Sequence, residues 1–386
     1  MSIRSALSLS RAPAFAFAAV GLAWGCIAAM APVLKAGIGV DDATYGLLLL
    51  GTAVGLSTTM VVAPRWERLT GRWALPLGTL MLSLAILGPA IAGGAVAFFV
   101  ALTVLGALSG LTDVVMNSRV SRIEAVSGRS LMNLNHGVFS AAYAVAALTT
   151  GALRETGWGV GPIFVVAALM IAATAPLQLI RSLPPEDEAG PTTRGLPAGL
   201  VLVCGAIVLI AFMTEATVES WSALHLERTL GGSAGEGALG PAMLGLTMAF
   251  GRFSGQGLAA RFSELSVIRV ATAMAMVGAL IVAVAPTPLI AYLGFGCMGL
   301  GVSVIGPMGL ALTGRLAPPD RRTAAIARVA VIAFAGFFVA PAAMGVLSEA
   351  FGLRAAFASV AVMAAIVLPL SLSRVVAPPA AAPIRR

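Results

Sequence analysis

The stretch TDVVMNSRVSRIEAVSGRSLMNLNHGVFS, residues Thr112–Ser140, places polar groups in the ends of two apolar segments. Asp113 and Asn117 are four residues apart, so they share a face of the helix that the first segment predicts. His136 and Ser140 share a face of the second helix in the same way. An acid and an imidazole are costly in hydrocarbon. The stretch therefore predicts two membrane helices, joined by a short basic loop, that bring Asp113 and His136 to similar depth.

The composition of the whole chain agrees with a membrane protein. Of its 386 residues, 59% are hydrophobic and 10% are charged, and the mean hydropathy is +0.98. These values lie far outside the range of a soluble globular domain. The formal net charge of +8 does not indicate a nucleic-acid partner, because the arginines fall in short loops between apolar runs. We expect an integral membrane protein that contacts lipid and no nucleic acid.

Apolar runs near 20 residues recur along the chain, and a run of that length spans a bilayer core of about 30 Å. The pattern predicts an all-α membrane protein with twelve spans, six on each side of a charged linker. We expect an N-terminal bundle over 1–182, a cytoplasmic linker over 183–197 and a C-terminal bundle over 198–386. The predicted spans are Pro13–Leu34, Tyr45–Pro64, Ala74–Ala92, Ala97–Ser118, Leu131–Leu153, Gly159–Ile180, Ala198–Leu224, Ala238–Ala260, Ile268–Ala285, Leu289–Gly314, Ala325–Leu347 and Ala355–Ser373.

The basic residues predict the orientation of the chain. If the N-terminus is cytoplasmic, nineteen of the 24 basic residues fall at the inner end, four fall outside, and Arg252 lies within a span. This asymmetry satisfies the positive-inside rule. Both termini are therefore expected in the cytoplasm.

The two halves echo each other, with Arg119 after span four matching Arg315 after span ten. Internal repeats of this kind build many secondary transporters, whose solute site lies between the repeats. Asp113 and His136 align with Gly309 and Val329, so the candidate chemistry lies in one half only.

Several motifs make the chain resemble the major facilitator superfamily over essentially its whole length. Arg68-Leu69-Thr70-Gly71-Arg72 is similar to the signature of the loop after span two, with Glu67 as the nearest acid. The segments DVVMN (113–117) and HGVFS (136–140), with Glu215 and Glu219 in span seven, are similar to a subfamily of bacterial inner-membrane permeases. The resemblance implies two pseudo-symmetric six-helix bundles that enclose a cavity lined by spans one, four, seven and ten.

The resemblance also implies a secondary active transporter. We expect it to move a small organic solute across the bacterial inner (plasma) membrane by alternating access, as a proton-coupled symporter. An uncoupled facilitator and a proton-driven efflux carrier of small organic or drug-like compounds are the alternatives.

Three residues are candidates for proton coupling: Asp113, His136 and Glu215. A carboxylate beside an imidazole can change its charge with pH. The alternative for Asp113 is a latch to Arg119 or Arg129. No basic residue lies within helical reach of Glu215, so it is expected to act as a proton carrier or as a buried acid bonded to the backbone.

A second group of residues is expected to contact the substrate. Arg252 needs a counter-charge, which Glu215 or an anionic group of the substrate supplies. Asparagines in a bundle serve as hydrogen-bond glue between helices or as ligand contacts, and aromatic rings serve as packing or as stacking surfaces. The candidates are Arg252, Asn117, Asn133, Trp24, Phe139, Tyr143 and Phe212. Glu219 and Trp221 are expected nearer the outer interface.

The inner mouth is expected to carry a gate of ion pairs, made within or between the halves. The candidates are Arg119, Glu124, Arg129, Glu67 and Arg315. The sequence contains no G-x-S-x-G or H-E-x-x-H motif, and it has only two histidines. We therefore expect no enzyme activity, no cofactor and no metal site, and we expect the carrier to act as a monomer.

Overall fold

A computed structural model describes residues 3–180, 195–259 and 261–376, and all secondary structure within these ranges is helical. Most of the predicted linker, residues 183–194, lies outside the described residues. The α-helices are α1 Ile3–Leu9, α2 Arg11–Ile38, α3 Asp42–Leu48, α4 Leu50–Thr70, α5 Ala74–Ala85, α6 Gly88–Ile91, α7 Ala95–Ser127, α8 Met132–Glu155, α9 Val160–Thr174, α10 Ala198–Leu224, α11 Ala234–Ala259, α12 Glu264–Val284, α13 Pro288–Leu316, α14 Arg322–Ala365 and α15 Val367–Ser371.

The helices follow the apolar runs because a backbone in lipid must satisfy its hydrogen bonds within the segment. Nine stretches of the described residues are long and apolar enough to cross a membrane. One of them, Pro319–Ser371, is 53 residues long, and α14 is interrupted within it by a kink at Gly352, where φ is 80°. The number of twelve spans stays a prediction, which would need this stretch to cross twice and α4 and α11 to cross as well.

α7 and α4 extend furthest beyond their predicted ends. α7 continues to Ser127, so the predicted basic loop is largely helical and the connection to α8 is short. It ends at Gly128, whose φ of 64° suits a residue without a side chain. α4 runs through Pro64 to Thr70, which membrane helices tolerate because neighbouring groups satisfy the freed backbone.

The connection between α2 and α3 contains the predicted helix cap. α2 ends at Gly39 in the left-handed conformation. Asp41 then accepts a hydrogen bond at 2.6 Å from the backbone N–H of Thr44 and so caps α3. The next residue, Asp42, turns its carboxylate inward, where it is 97% shielded from solvent.

α8 lies at the junction between the N-terminal half (α1–α9) and the C-terminal half (α10–α15), packed against α2 and α11. Glycines permit the close approach. A side chain at Gly25 of α2 would collide with the backbone carbonyl of Tyr143, and one at Gly245 of α11 would press on Ser140 and Tyr143. α2 of the N-terminal half and α11 of the C-terminal half therefore both pack against α8, along the turns that contain His136, Ser140 and Tyr143.

Candidate functional site

A buried guanidinium joins the two halves at the middle of the molecule. Arg252 of α11 donates from Nη1 to Ser140 Oγ at 2.5 Å and to the His136 carbonyl oxygen at 3.4 Å. Its Nη2 lies 3.3 Å from Glu215 Oε1 of α10. The side chains of Arg252 and Glu215 are only 12% and 7% exposed. The predicted counter-charge is thus present, and Glu215 is not an unpaired acid.

Glu219 also lies close to this cluster, one turn nearer the outer end of α10 than Glu215. It is half-buried one helical turn from Glu215, within electrostatic reach of Glu215 and Arg252. In the sequence, the four-residue spacing of the two acids indicates that Glu219 and Glu215 share a helix face. Trp221 departs from the expected interface, because it is fully buried and its ring meets Tyr45 edge to face at 5.7 Å.

Asp113 and His136 do not form the expected pair. Asn117 Nδ2 donates to Asp113 Oδ1 at 3.1 Å and to its carbonyl oxygen at 2.9 Å. The His136 ring instead meets Phe17 of α2 edge to face at 4.8 Å. Among the described residues, the contacts of Asp113 and His136 thus lie with different partners, and Arg119 pairs with Glu67. Similar depth did not suffice, because Asp113 meets Asn117 one turn along its own helix and the His136 ring is turned towards α2.

The remaining substrate candidates lie in different environments. Trp24 donates from Nε1 to Ser109 Oγ at 2.9 Å, which ties α2 to α7. Phe139 and Tyr143 stack at 6.3 Å on α8, next to the Arg252 cluster. Phe212 packs with Phe334 and Phe337 in the C-terminal half, and Asn133 is half-buried near the start of α8. The structure thus brings Phe139 and Tyr143 to the cluster but places Trp24 and Phe212 in other contacts.

At the end of the molecule that is predicted to face the cytoplasm, here called the inner end, the described ion pairs lie within one half. Glu67 accepts from Arg119 Nε at 3.1 Å and from Arg122 Nη2 at 2.5 Å. Arg315 Nε lies 3.0 Å from Glu264 Oε1. Glu67 thus pairs with basic residues of the first cluster and Glu264 with Arg315 of the second, and each pair ties helices of its own half.

Two of the gate candidates have other positions at the inner end. Glu124 accepts hydrogen bonds from the backbone N–H groups of Leu131 and Met132. It therefore holds the short connection from α7 to the start of α8, a local contact within the N-terminal half. Arg129 is exposed beside Gly128 in that connection.

The opposite, outer end carries ion pairs that cross between the halves, which the sequence analysis did not predict. Glu227 and Arg228 are consecutive residues of a π-helical turn, His225–Thr229, that follows α10. Arg154 of α8 donates to both carboxylate oxygens of Glu227, at 2.7 and 2.9 Å. Arg228 donates to both oxygens of Asp42, at 2.5 and 3.0 Å. We call these two bidentate pairs the outer latch.

Further contacts surround Asp42 in the outer latch. Ser348 Oγ donates to its Oδ2 at 2.5 Å, Lys35 Nζ lies 2.9 Å from its Oδ1, and its backbone N–H donates to Glu349 at 2.9 Å. Ser348 and Glu349 belong to α14, in the other half of the molecule. π-Helical turns occur frequently at functional sites. This turn presents the acid Glu227 to Arg154 and the base Arg228 to Asp42. These contacts join the two halves at the outer end.

We expect the outer latch to stay intact between pH 8 and pH 5. Burial raises the pKa of Asp42, but hydrogen bonds from Arg228, Ser348 and Lys35 outweigh it and lower the pKa to about 2. An acid with a lowered pKa stabilises the closed state fully above its ordinary pKa of about 3.9 and loses this contribution as pH falls through the lowered value. Electron-paramagnetic-resonance distances between spin labels at Thr156 and Leu289 measure the closure.

Asp42→Asn should lengthen the distance between these labels at neutral pH, because a neutral amide cannot form the charged pairs. Asp41→Asn is the matched control, since Asp41 is exposed and caps α3. A distance that already lengthens between pH 8 and pH 5 in the unaltered protein would contradict the assignment and would place the titrating group elsewhere.

Comparisons with known proteins agree on one family. The sequence profile of the Major Facilitator Superfamily matches residues 14–298 and 203–386. The chain is 28% identical to an uncharacterized MFS-type transporter of Yersinia pestis, covering 94% of each sequence. It is also 28% identical to an uncharacterized transporter of Sinorhizobium fredii, covering 96% of this chain and 99% of the other.

Solved structures share the fold. A bacterial homologue of the human lysosomal transporter Spinster, in an inward-facing and occupied conformation, superposes with a TM-score of 0.77 at 16% identity, covering 96% of this chain and 97% of the other. A D-xylose–proton symporter superposes with a TM-score of 0.74 at 14% identity and the same coverage. At such identities the likeness shows the fold alone.

Proposed function

The chain belongs to the major facilitator superfamily, a family of transporters and not of enzymes, and we propose that it is a proton-coupled symporter. It moves a small organic solute across the bacterial inner membrane by alternating access, acts as a monomer and keeps both termini in the cytoplasm. The membrane orientation rests on the distribution of basic residues.

The observation that carries the proposal is the Glu215–Arg252 pair at the junction of the halves. Arg252 holds Glu215 in its own half and Ser140 in the other. A proton on Glu215 removes the charge that holds Arg252 from one side. The guanidinium then redistributes its hydrogen bonds, and so protonation alters the contact between the halves. This arrangement couples a proton to the equilibrium between two conformations, which a few kcal/mol is enough to bias.

Asp113 is the second proton carrier in this proposal. Its described partner is Asn117 and not a cation, and an unpaired carboxylate is costly to bury. A proton removes that cost. Arg119, the nearest basic residue along α7, is committed to Glu67 and to the carbonyl oxygen of Gly71.

The outer latch supplies the conformational part of the proposal. Its pairs cross between the halves, whereas the described ion pairs of the inner end lie within one half. We assign the structure to the state that is closed towards the outside. The opposite state requires Asp42–Arg228 and Arg154–Glu227 to separate.

Uptake by purified protein in liposomes tests the coupling. Solutes that raise the melting temperature are selected first, since a ligand stabilises the state that binds it. With an acidic exterior, accumulation of such a solute should collapse to equilibration when a protonophore is added. Asp113→Asn and Glu215→Gln should abolish accumulation and retain counterflow exchange, because exchange needs no net proton transfer.

Asp320→Asn is the control for these variants, because Asp320 is an exposed acid of an inner loop and should leave accumulation unchanged. Uptake that is indifferent to the protonophore would reject proton coupling and favour an uncoupled facilitator. Normal accumulation in both Asp113→Asn and Glu215→Gln would show that neither acid carries the proton.

A further inference from the structure

The central cluster contains one acid more than the guanidinium neutralises. Arg252 is already engaged by Glu215, Ser140 Oγ and the His136 carbonyl oxygen. Glu219 lies one turn along α10 from Glu215, within electrostatic reach of both charges of that pair. Among the described residues, the Glu219 carboxylate takes part in no hydrogen bond or ion pair, whereas Glu215 pairs with Arg252. The group without a described partner in this cluster is therefore a carboxyl group, which pairs with a cation once it gives up its proton.

A hydroxyl without a partner faces the same acids from the other half. Tyr143 of α8 is 2% exposed, and its Oη has no hydrogen-bond partner among the described residues. Tyr143 lies one turn beyond Ser140 on α8, as Glu219 lies one turn beyond Glu215 on α10. Both helices end near the Arg154–Glu227 pair, so the two groups lie on the same side of the bridge that Arg252 makes. A buried hydroxyl normally has a partner, so one that lacks it requires an explanation. Here both halves contribute an unsatisfied oxygen to one place.

We propose that Glu219 and Tyr143 form a subsite for a primary ammonium group of the transported solute. This inference rests on the proposed transport function and names the class of solute. An ammonium group is a compact cation with three N–H donors. It offers a charge to Glu219 and a hydrogen bond to Tyr143 Oη, which are the two groups that lack partners. An anionic solute would instead have to displace Glu215 or Ser140 from Arg252.

The surroundings suit a cation on a small organic body. Phe139 stacks on Tyr143 at 6.3 Å, so an aromatic surface flanks the hydroxyl, and aromatic faces attract cations. Glu219 is half-buried rather than sealed, which leaves it an open side. The other described charged or titratable groups of the cluster are Glu215, Arg252 and His136. Of these, Arg252 repels the ammonium group. The ammonium therefore binds on the side of Glu219 away from Arg252.

Binding of matched small probes tests the subsite on the purified full-length chain. Benzylammonium and cyclohexylammonium are compared with their isosteric alcohols and carboxylates, at constant sodium chloride, by thermal shift and calorimetry. The ammonium probes should bind, and the alcohols and carboxylates should bind at least tenfold more weakly. Glu219→Gln should weaken the ammonium probes by at least tenfold, and Tyr143→Phe, which removes only the hydroxyl, by severalfold. Asp320→Asn should leave their affinity unchanged.

Each other outcome has a distinct meaning. Tighter binding of the carboxylates would overturn the inference and assign the site to anions at Arg252. Equal binding of alcohols and ammonium probes would overturn the inference as well, because it would indicate an apolar cavity and no ammonium subsite. Ammonium binding that survives Glu219→Gln, or the absence of ammonium binding, would also overturn it. Proton-coupled uptake of a solute without an amine would leave the proposed function intact and reject this subsite, whereas amine binding without proton coupling would do the reverse.

Discussion

Replacing Arg252 with leucine is expected to abolish transport and to lower the stability of the protein in detergent. The substitution leaves Glu215, which is 7% exposed, without its counter-charge. Removing one partner of a buried pair costs about 3–5 kcal/mol, because the remaining charge stays buried and unpaired. The junction with α8 also loses the hydrogen bonds to Ser140 and His136. Thermal unfolding and solute uptake measure the two effects.

The double variant Arg252→Leu/Glu215→Gln separates folding from transport. It removes the unpaired charge, so stability should recover towards that of the unaltered protein while transport stays lost. Arg315→Leu is the matched control, because Arg315 is 46% exposed and its pair with Glu264 lies at the inner end. An exposed pair contributes at most about 1 kcal/mol. Equal destabilisation by Arg315→Leu and Arg252→Leu would contradict a special role for the central pair.

The fold could be predicted from hydropathy because lipid imposes helices on every apolar run. The limits of the helices were less predictable. Arg119 and Arg122 are typical of a loop, yet they lie on α7, because Glu67 of α4 satisfies both charges. The sequence offered several acids at the inner end as partners for Arg119, but it does not show that Glu67, 52 residues away in the chain, is the one adjacent in space.

The site could be predicted in part, for the same reason. Arg252 and Glu215 were recognisable as charges inside spans, and each is the other's partner. Asp113 and His136 were expected to meet because they have similar depth, but Asp113 meets Asn117 of its own helix and the His136 ring meets Phe17 of α2. The role of each residue in transport remains a prediction until the variants are measured.

Reversing the charge at Arg154 or at Glu227 is expected to open the outer end. Their side chains are 6% and 17% exposed and are joined by two hydrogen bonds. After either reversal the two side chains carry like charges and repel each other. If the closed state loses about 3 kcal/mol of stabilisation, its equilibrium with the outward-open state shifts by more than about a hundredfold. Arg154→Glu and Glu227→Arg should each move the population towards the outward-open state.

The labelling of a single cysteine at Ala147 measures this opening. Ala147 is fully buried with Ala29, Ala238 and Ala242, beneath Arg154, which donates to the carbonyl oxygen of Ala29 at 2.8 Å. The native cysteines Cys26, Cys204 and Cys297 are first replaced by serine. A membrane-impermeant maleimide added outside should then label the Ala147→Cys protein slowly, and either charge-reversal variant quickly.

The double reversal Arg154→Glu/Glu227→Arg decides whether attraction or mere disruption is responsible. It restores opposite charges between α8 and the π-helical turn, so labelling should slow again, although a swapped pair loses the hydrogen bond from Arg154 to Ala29. Fast labelling in the double variant would mean that shape, and not charge, closes the outer end. Unchanged labelling in both single variants would mean that the Asp42–Arg228 pair suffices alone. Because Arg228 is 46% exposed and Arg154 only 6%, we expect the less exposed pair to contribute more to the closure.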